Sequence, residues 1–148
     1  LVFSQFTSML AILRRECEER DLRYCYLDGA TKERLSVVRR FNTEREIPLF
    51  LMSLKAGGTG LNLTGADMVI HFDPWWNPAV ENQATDRAHR IGQHRTVYSV
   101  KLITKSTVEE KVLAIEQRKK DVIDTMLKRD RDFMRKLTWE DVEELLSE

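Results

Sequence analysis

The stretch "ENQATDRAHRIGQ", Glu81 to Gln93, sets Arg87 and Arg90 three residues apart, beside Gln83 and Asp86. Guanidinium is a planar fork that matches phosphate and carboxylate oxygens, so such a pair suits an anion. On a helix turning about 100° per residue, Gln83, Asp86, Arg87 and Arg90 fall on one polar stripe. Val80, Ala84, Ala88 and Ile91 form an adjoining apolar stripe that packs on a sheet and holds the polar stripe at the border of the core. Two chemistries fit. One is anion binding, with Gln83 and Asp86 holding the arginines in pose. The other is an internal ion-pair network of Asp86 with Arg87 or Arg90.

A second candidate is "SLKAGGTGLNLTGA", residues 53–66, with Gly57, Gly58 and Gly60. Glycines let main-chain N–H groups approach an anion, and Ser53, Lys55 and Thr59 add donors. The dinucleotide fingerprint fails because Leu63 stands where its last glycine belongs, and no G-K-[S/T] of a Walker loop occurs. Backbone phosphate binding and a tight turn needing positive φ both fit. His89 and His94 lack metal-partner spacing, and His71 lies in a strand, where a satisfied core histidine is expected. Cys17 and Cys25 form neither a C-x-x-C pair nor a zinc set, so no metal site is expected. No Ser/His/Asp or Cys/His arrangement stands out.

These side chains need elements to position them. "LVFSQF" predicts a short buried strand, and Met9, Ile12, Leu13 and Cys17 predict a helix from Ser8 to about Arg20. "LRYCYLDG" predicts a second strand closed by an Asp-Gly turn. Thr31 then caps a helix to about Asn42, with Leu35, Val38 and Phe41 inward. "PLFLMS" is apolar throughout, as in a parallel strand covered on both faces. "MVIHFD" is a fourth strand. Asn77 with Pro78 opens a helix to about Arg90, and "TVYSVKLIT" alternates like an edge strand.

Ser106-x-x-Glu109 is a capping box starting a long helix to about Lys128, with Val108, Val112, Ile115, Val122 and Met126 as its apolar stripe. "KRDRDFMRK" has the composition of a mobile link, and Thr138-x-x-Asp141 caps a short acidic terminal helix. Strands alternating with helices predict an α/β fold, a parallel sheet of about five or more strands flanked by helices. The expected division is residues 1–105 for the sheet lobe and 106–148 for the long helix, link and acidic helix.

The 148 residues are 42% hydrophobic and 32% charged, with a formal net charge of +0. Overall charge therefore points to no partner, and nucleic-acid binding must rest on a local patch. One such patch runs from Asp86 to Lys101, where Arg87, Arg90, Arg95 and Lys101 outnumber a single acid, while "WEDVEELLSE" at the end is purely acidic. Two thiols without a signal peptide point to a reducing compartment, and no apolar run approaches a membrane span. The chain opens on Leu1 within an apolar run, as expected of a piece cut from a longer protein.

"LVFSQF", "YLDGAT", "SLKAGGTGLNLTGA", "HFDPWWNP" and "QATDRAHRIGQ" follow the order and spacing of the second motor lobe of Swi/Snf-family ATPases, which this chain resembles from residue 1 to about 120. The "DPWWNPA" wording is closer to the prokaryotic branch. The resemblance implies a RecA-like lobe of a double-stranded-DNA translocase used in chromatin remodelling. Such a lobe closes on ATP with Mg2+ held mainly by an N-terminal RecA-like lobe, which is where the missing Walker loop belongs. It implies that Arg87 and Arg90 are arginine fingers with Gln83 beside them, and that Gly60, Asn62 and Asp86 line the nucleotide, Asn62 near its ribose. It further implies that Ser4, Gln5, Gly29, Ser53, Lys55, Gly58 and Thr59 track the DNA backbone, and that Trp76 couples DNA groove to ATP cleft.

The long helix is similar to the family's brace across the lobes. The implied partners are duplex DNA, the first lobe and a DNA-bound protein target, with no membrane. The implied location is cytoplasmic and nucleoid-associated in a prokaryote, or nuclear in a eukaryote. The piece alone is expected not to turn over ATP. The competing readings are a non-catalytic protein-interaction module and a stand-alone nucleotide-binding α/β enzyme.

Overall fold

A computed structural model describes the main chain of residues 1–56, 60–73, 75 and 77–136, and their side chains except at 116, 123, 124 and 127–136. Five strands form one sheet: β1 (Val2–Ser4), β2 (Tyr24–Leu27), β3 (Leu49–Ser53), β4 (Met68–His71) and β5 (Tyr98–Lys101). All neighbours are parallel and the order is β2-β3-β1-β4-β5. Val2 registers with Leu51 on one side and Ile70 on the other. The helices are α1 (Thr7–Glu19), α2 (Arg34–Thr43), α3 (Pro78–Thr85) and α4 (Val108–Lys136).

Side chains alternate across the pleat, so β1 to β4 feed two cores, while β5 is largely exposed. Phe3, Cys25, Leu27, Phe50, Met52 and Val69 face α2, α3 and the loop from Leu61 to Ala66. Val2 and Leu51 face the opposite side, where Leu10 and Cys17 of α1 cover them. This double coverage explains why "LFLMS" carries no polar residue before its end. Cys17 and Cys25 belong to the two different cores and are both free thiols. β2 and β5 are the edges, as the alternation in β5 predicts.

Several expectations change. Ile12 of α1 is exposed, and Leu10 takes the inward place. Thr31 does not cap α2, because its hydroxyl bonds the Asp28 carboxylate at 3.0 Å and closes the Asp28 turn. Helix α2 starts two residues later, at Arg34, with Glu33 as its N-cap. Leu35 is 74% exposed while Val38 and Phe41 are buried. Steps of three rotate about −60° each on an α-helix, so Leu35 cannot share the face centred on Phe41.

Helix α3 keeps its Asn77 cap, whose Oδ1 accepts from the Ala79 N–H at 3.1 Å, but it ends at Thr85 rather than near Arg90. The Arg87 carbonyl accepts from the Leu63 N–H at 2.8 Å, and the Ala88 carbonyl accepts from the Gln93 side chain at 3.2 Å. Past Thr85 the main chain tightens into turns, the Arg87 N–H bonding the Ala84 carbonyl at 3.3 Å and the Ala88 N–H the Thr85 carbonyl at 3.0 Å, three residues back rather than four. Ile91, placed inward by the helical pattern, stands fully exposed.

The long helix is capped one residue later than expected. The Thr107 hydroxyl accepts from the Glu109 N–H at 3.2 Å, and Glu110 reaches back to the Ser106 N–H at 3.0 Å. Residues 128–136, expected as a link, continue α4. The expected acidic terminal helix lies outside the described residues.

Phe50 is fully buried and meets Phe41 edge-on, with ring centroids 5.1 Å apart. Phe50→Ala should cost about 3–5 kcal/mol. Leu35→Ala should stay within about 0.5 kcal/mol, as for other exposed sites. Chemical denaturation of both variants checks whether the two-core assignment holds.

Candidate functional site

Parallel strands bring their carboxyl ends to one edge, where α/β sheets gather ligands. Ser4, Ser53, His71 and Lys101 end their strands there, with Ser4 registered against Ser53 and His71 against Lys101. Of the residues expected to track DNA, Ser4, Gln5, Gly29, Ser53 and Lys55 all stand at this edge. Gly29 and Lys55 are exposed, Gln5 is half-buried, and Ser4 and Ser53 are buried. Gly58, Thr59 and Trp76 lie outside the described residues.

Internal bonds hold this edge in shape. The Ser4 hydroxyl donates to the Asp73 carboxylate, whose other oxygen accepts from the Gln5 N–H at 2.8 Å. Ser4 therefore supports the loops more than it offers a free hydroxyl. Despite its burial penalty, the Asp28 carboxyl is held below its usual range by bonds from Tyr26, Thr31 and the Ala30 N–H, which shape the turn presenting Gly29. Arg34 spans two loops, donating to the Gly29 carbonyl at 3.4 Å and the Ala56 carbonyl at 3.0 Å. Lys55 Nζ sits 5.3 Å from the Trp75 ring centroid, a cation–π distance.

A neighbouring flank carries the nucleotide-side candidates. Gly60 adopts φ 101°, where glycine is favoured. Asn62 is exposed, its carbonyl accepting from Asn42 Nδ2 at 2.8 Å. The Leu63 N–H to Arg87 carbonyl bond fastens this loop to the arginine turn. Gln83, Asp86 and Arg90 are exposed. Arg90 Nε donates to the Asp86 carbonyl at 3.2 Å, so that contact runs to main chain rather than to the carboxylate.

Arg87 differs from Arg90. It is 4% exposed, with its Nη1 3.9 Å from Met52 Sδ and its guanidinium 6.0 Å from the Phe3 ring. Burial, reinforced by the charge of Arg90, lowers its pKa. The common stripe of four residues is thus replaced by a helix end with Gln83 on α3 and both arginines in the turns after it.

Sequence reasoning missed Arg34, Gln93 and Glu81. Gln93 Nε2 lies within bonding distance of three carbonyls, Thr64 at 3.1 Å, Ala66 at 2.7 Å and Ala88 at 3.2 Å, clasping loop to arginine turn. Glu81 is 2% exposed; it accepts from the Trp75 N–H at 2.7 Å and pairs with Lys101. The signal for Glu81 is its spacing: it shares the inward face of Ala84 and Ala88, where a carboxylate needs a partner. No comparable signal marks Gln93, whose partners are distant in sequence.

His71, expected as a satisfied core residue, is 1% exposed, stacks on Phe3 at 5.8 Å and meets the Thr85 hydroxyl at 3.2 Å through Nε2. A cavity of about 670 Å3 opens at the opposite edge, beside Arg45, Asp67 and Arg95, and contains none of the candidate residues. Among the described residues no group of three His, Cys, Asp or Glu side chains could hold a metal ion. Nor is any helix there long and apolar enough to cross a membrane.

Burial pushes the His71 pKa below its ordinary 6.5, with Glu81 pulling it up and Lys101 pushing it down. A lowered folded-state value means that the unfolded chain takes up a proton the folded chain refuses. Stability is full above about pH 6.5 and declines as pH falls toward the folded-state value. Denaturation midpoints should therefore drop between about pH 8 and 5. His71→Gln should flatten that slope; an unchanged slope would assign it to other groups.

The family described as "Helicase conserved C-terminal domain" matches residues 1–92. An uncharacterized ATP-dependent helicase of Mycoplasma pneumoniae is 43% identical over 144 residues, 96% of this chain and 14% of the relative. DNA repair protein RAD5B of Arabidopsis thaliana is 49% identical over 83% of this chain and 10% of its own length. Helicase SWR1 of Yarrowia lipolytica is 42% identical over 90% of this chain and 8% of its own. The C-terminal part of the Fun30 ATPase domain has a similar structure, with TM-score 0.73 and 43% identity over 76% of this chain and 37% of that one. The chain thus spans a small fraction of the curated relatives it matches.

Proposed function

Since the chain belongs to the helicase C-terminal domain family, in its Swi/Snf-type branch, we propose that it forms the second lobe of an ATP-driven motor that moves along double-stranded DNA. The reading rests chiefly on the bond from the Leu63 N–H to the Arg87 carbonyl. It holds the loop carrying Asn62 against the turn carrying Arg90, so that a ribose contact and a phosphate contact keep a fixed relation. Arg90 faces solvent and is the arginine poised to meet a phosphate held by another lobe. Arg87 lies beneath it, and the two guanidinium groups reinforce one positive potential at the turn.

ATP with Mg2+ supplies the reactive phosphoanhydride. This lobe's part is to orient the ribose side through Asn62 and to place guanidinium charge where negative charge grows on the transferring phosphoryl group. Walker-type and Mg2+-binding residues are assigned to a first lobe, so this chain alone should not turn over ATP. The carboxyl edge of the sheet, with Gly29, Gln5 and Lys55, tracks one strand of the duplex, Gly58, Thr59 and Trp76 completing it. Local charge suffices for that contact at a net charge of +0.

Helix α4 exposes Val108, Ile115, Val122 and Met126 along one face. We assign that face to packing across the two lobes, as a brace. The remodelled target is a DNA-bound protein, and the motor works where the DNA is, in nucleoid or nucleus.

Arg90→Ala in the complete protein tests the reading. Nucleotide binding should persist, while DNA-stimulated hydrolysis falls by roughly 10³-fold or more. An unchanged rate would favour a passive interaction module. Tight binding and turnover of ATP by this chain alone would favour a self-sufficient enzyme.

A further inference from the structure

Glu81 stands out as a buried carboxylate that the proposed motor chemistry does not use. It lies on α3, the helix that ends in the arginine turn, and is 2% exposed. One oxygen accepts from the Trp75 N–H at 2.7 Å, and the other pairs with Lys101 at the end of β5. Trp75 in turn lies under Lys55, the exposed cation of the loop after β3. Three elements therefore meet at one carboxylate: α3, the loop after β4 and the carboxyl end of β5. His71 lies close enough for Glu81 and Lys101 to act on its titration in opposite directions.

We propose that Glu81 is a positioning residue that locks the tryptophan loop to α3, so that displacement of the DNA-facing edge reaches the arginine turn. The inference rests on the motor reading above. Burying the Glu81 carboxylate against a partly exposed Lys101 is costly, and apolar side chains of similar volume often serve stability as well or better. Stability alone thus gives little reason for the pair. What an apolar pair could not do is accept the Trp75 N–H, and that bond makes loop and helix one body. Lys101, paired with the second oxygen, fixes the carboxylate in the orientation the bond needs.

The test compares the complete protein with Glu81→Met/Lys101→Met and Glu81→Gln/Lys101→Gln, on linear double-stranded DNA. The Gln pair keeps an acceptor for Trp75; the Met pair removes it while filling the space. The readout is the ratio of ATP hydrolysis with DNA to hydrolysis without it, alongside melting temperature. The Met pair should lose roughly tenfold of that ratio while its DNA-independent rate stays within about twofold. The Gln pair should keep the ratio within about threefold.

Full stimulation in the Met pair, or equal loss in both pairs, would overturn the clasp. Should the Met pair fail to fold, the Gln pair still decides: a retained ratio supports the clasp and a lost one overturns it. Absence of DNA stimulation in the unaltered protein would overturn the motor reading and the clasp with it. That outcome is distinct from failure of the clasp alone, which leaves the unaltered protein stimulated.

Discussion

Everything in this fold depends on five parallel strands, four of which are buried on both faces. Parallel pairing sends each chain direction the same way, so every strand delivers its last residue to one edge. Burial of both faces then forbids polar side chains along the strands and pushes them to the ends. Ser4, Ser53, His71 and Lys101 are where that pressure is released. A surface able to meet an extended polyanion follows from topology before any side chain is chosen for binding. The chain needs no excess of positive charge for this, because position concentrates what it has.

The connection from β3 to β4 is the second consequence. Residues 54–67 link two strands that have β1 between them, and their described part, 54–56 and 60–67, is turn and irregular chain. A loop of that length must satisfy its main chain elsewhere. It does so through Leu54 to the Ser4 carbonyl, Leu63 to the Arg87 carbonyl, and Gln93 to the Thr64 and Ala66 carbonyls. The Leu54 bond ends on Ser4 and the Leu63 bond on Arg87, so two of these anchors fall on candidate residues. Such a loop carries function because its polar main chain has to be anchored at many points.

What the sequence made legible was whatever depended on local rules. Strand positions, the parallel α/β class, the Asn77–Pro78 start of α3 and the burial of His71 follow from periodicity, hydropathy and capping. The features that differ depend on turn geometry and helix phase, which hydropathy spacing does not register. After Thr85 the chain passes into three-residue turns, and nothing in the local pattern marks where that change comes. Thr31 looked like a cap because its bond to Asp28 depends on the shape of a turn. Leu35 failed for a simpler reason, since a spacing of three was taken as one face. At the site, Arg90 and the edge residues were visible as types, whereas Gln93 and Glu81 became meaningful only once loops folded over them.

Helix α4 has 29 residues, and at about 1.5 Å each it is a rod roughly 43 Å long, close to the width of a small domain. Its start is held by Thr107, Glu109 and Glu110 around the end of the sheet lobe, including the bond from the Thr104 N–H to Glu109 at 2.7 Å. Its apolar stripe, by contrast, is open to solvent in the described part. A rod fixed at one end multiplies angle into distance: a tilt of about 10° at the capped end moves the far end of such a rod by roughly 7 Å. Small rearrangements of the sheet lobe are thereby written at large scale along α4, and the two or three hydrogen bonds of its cap are the fulcrum.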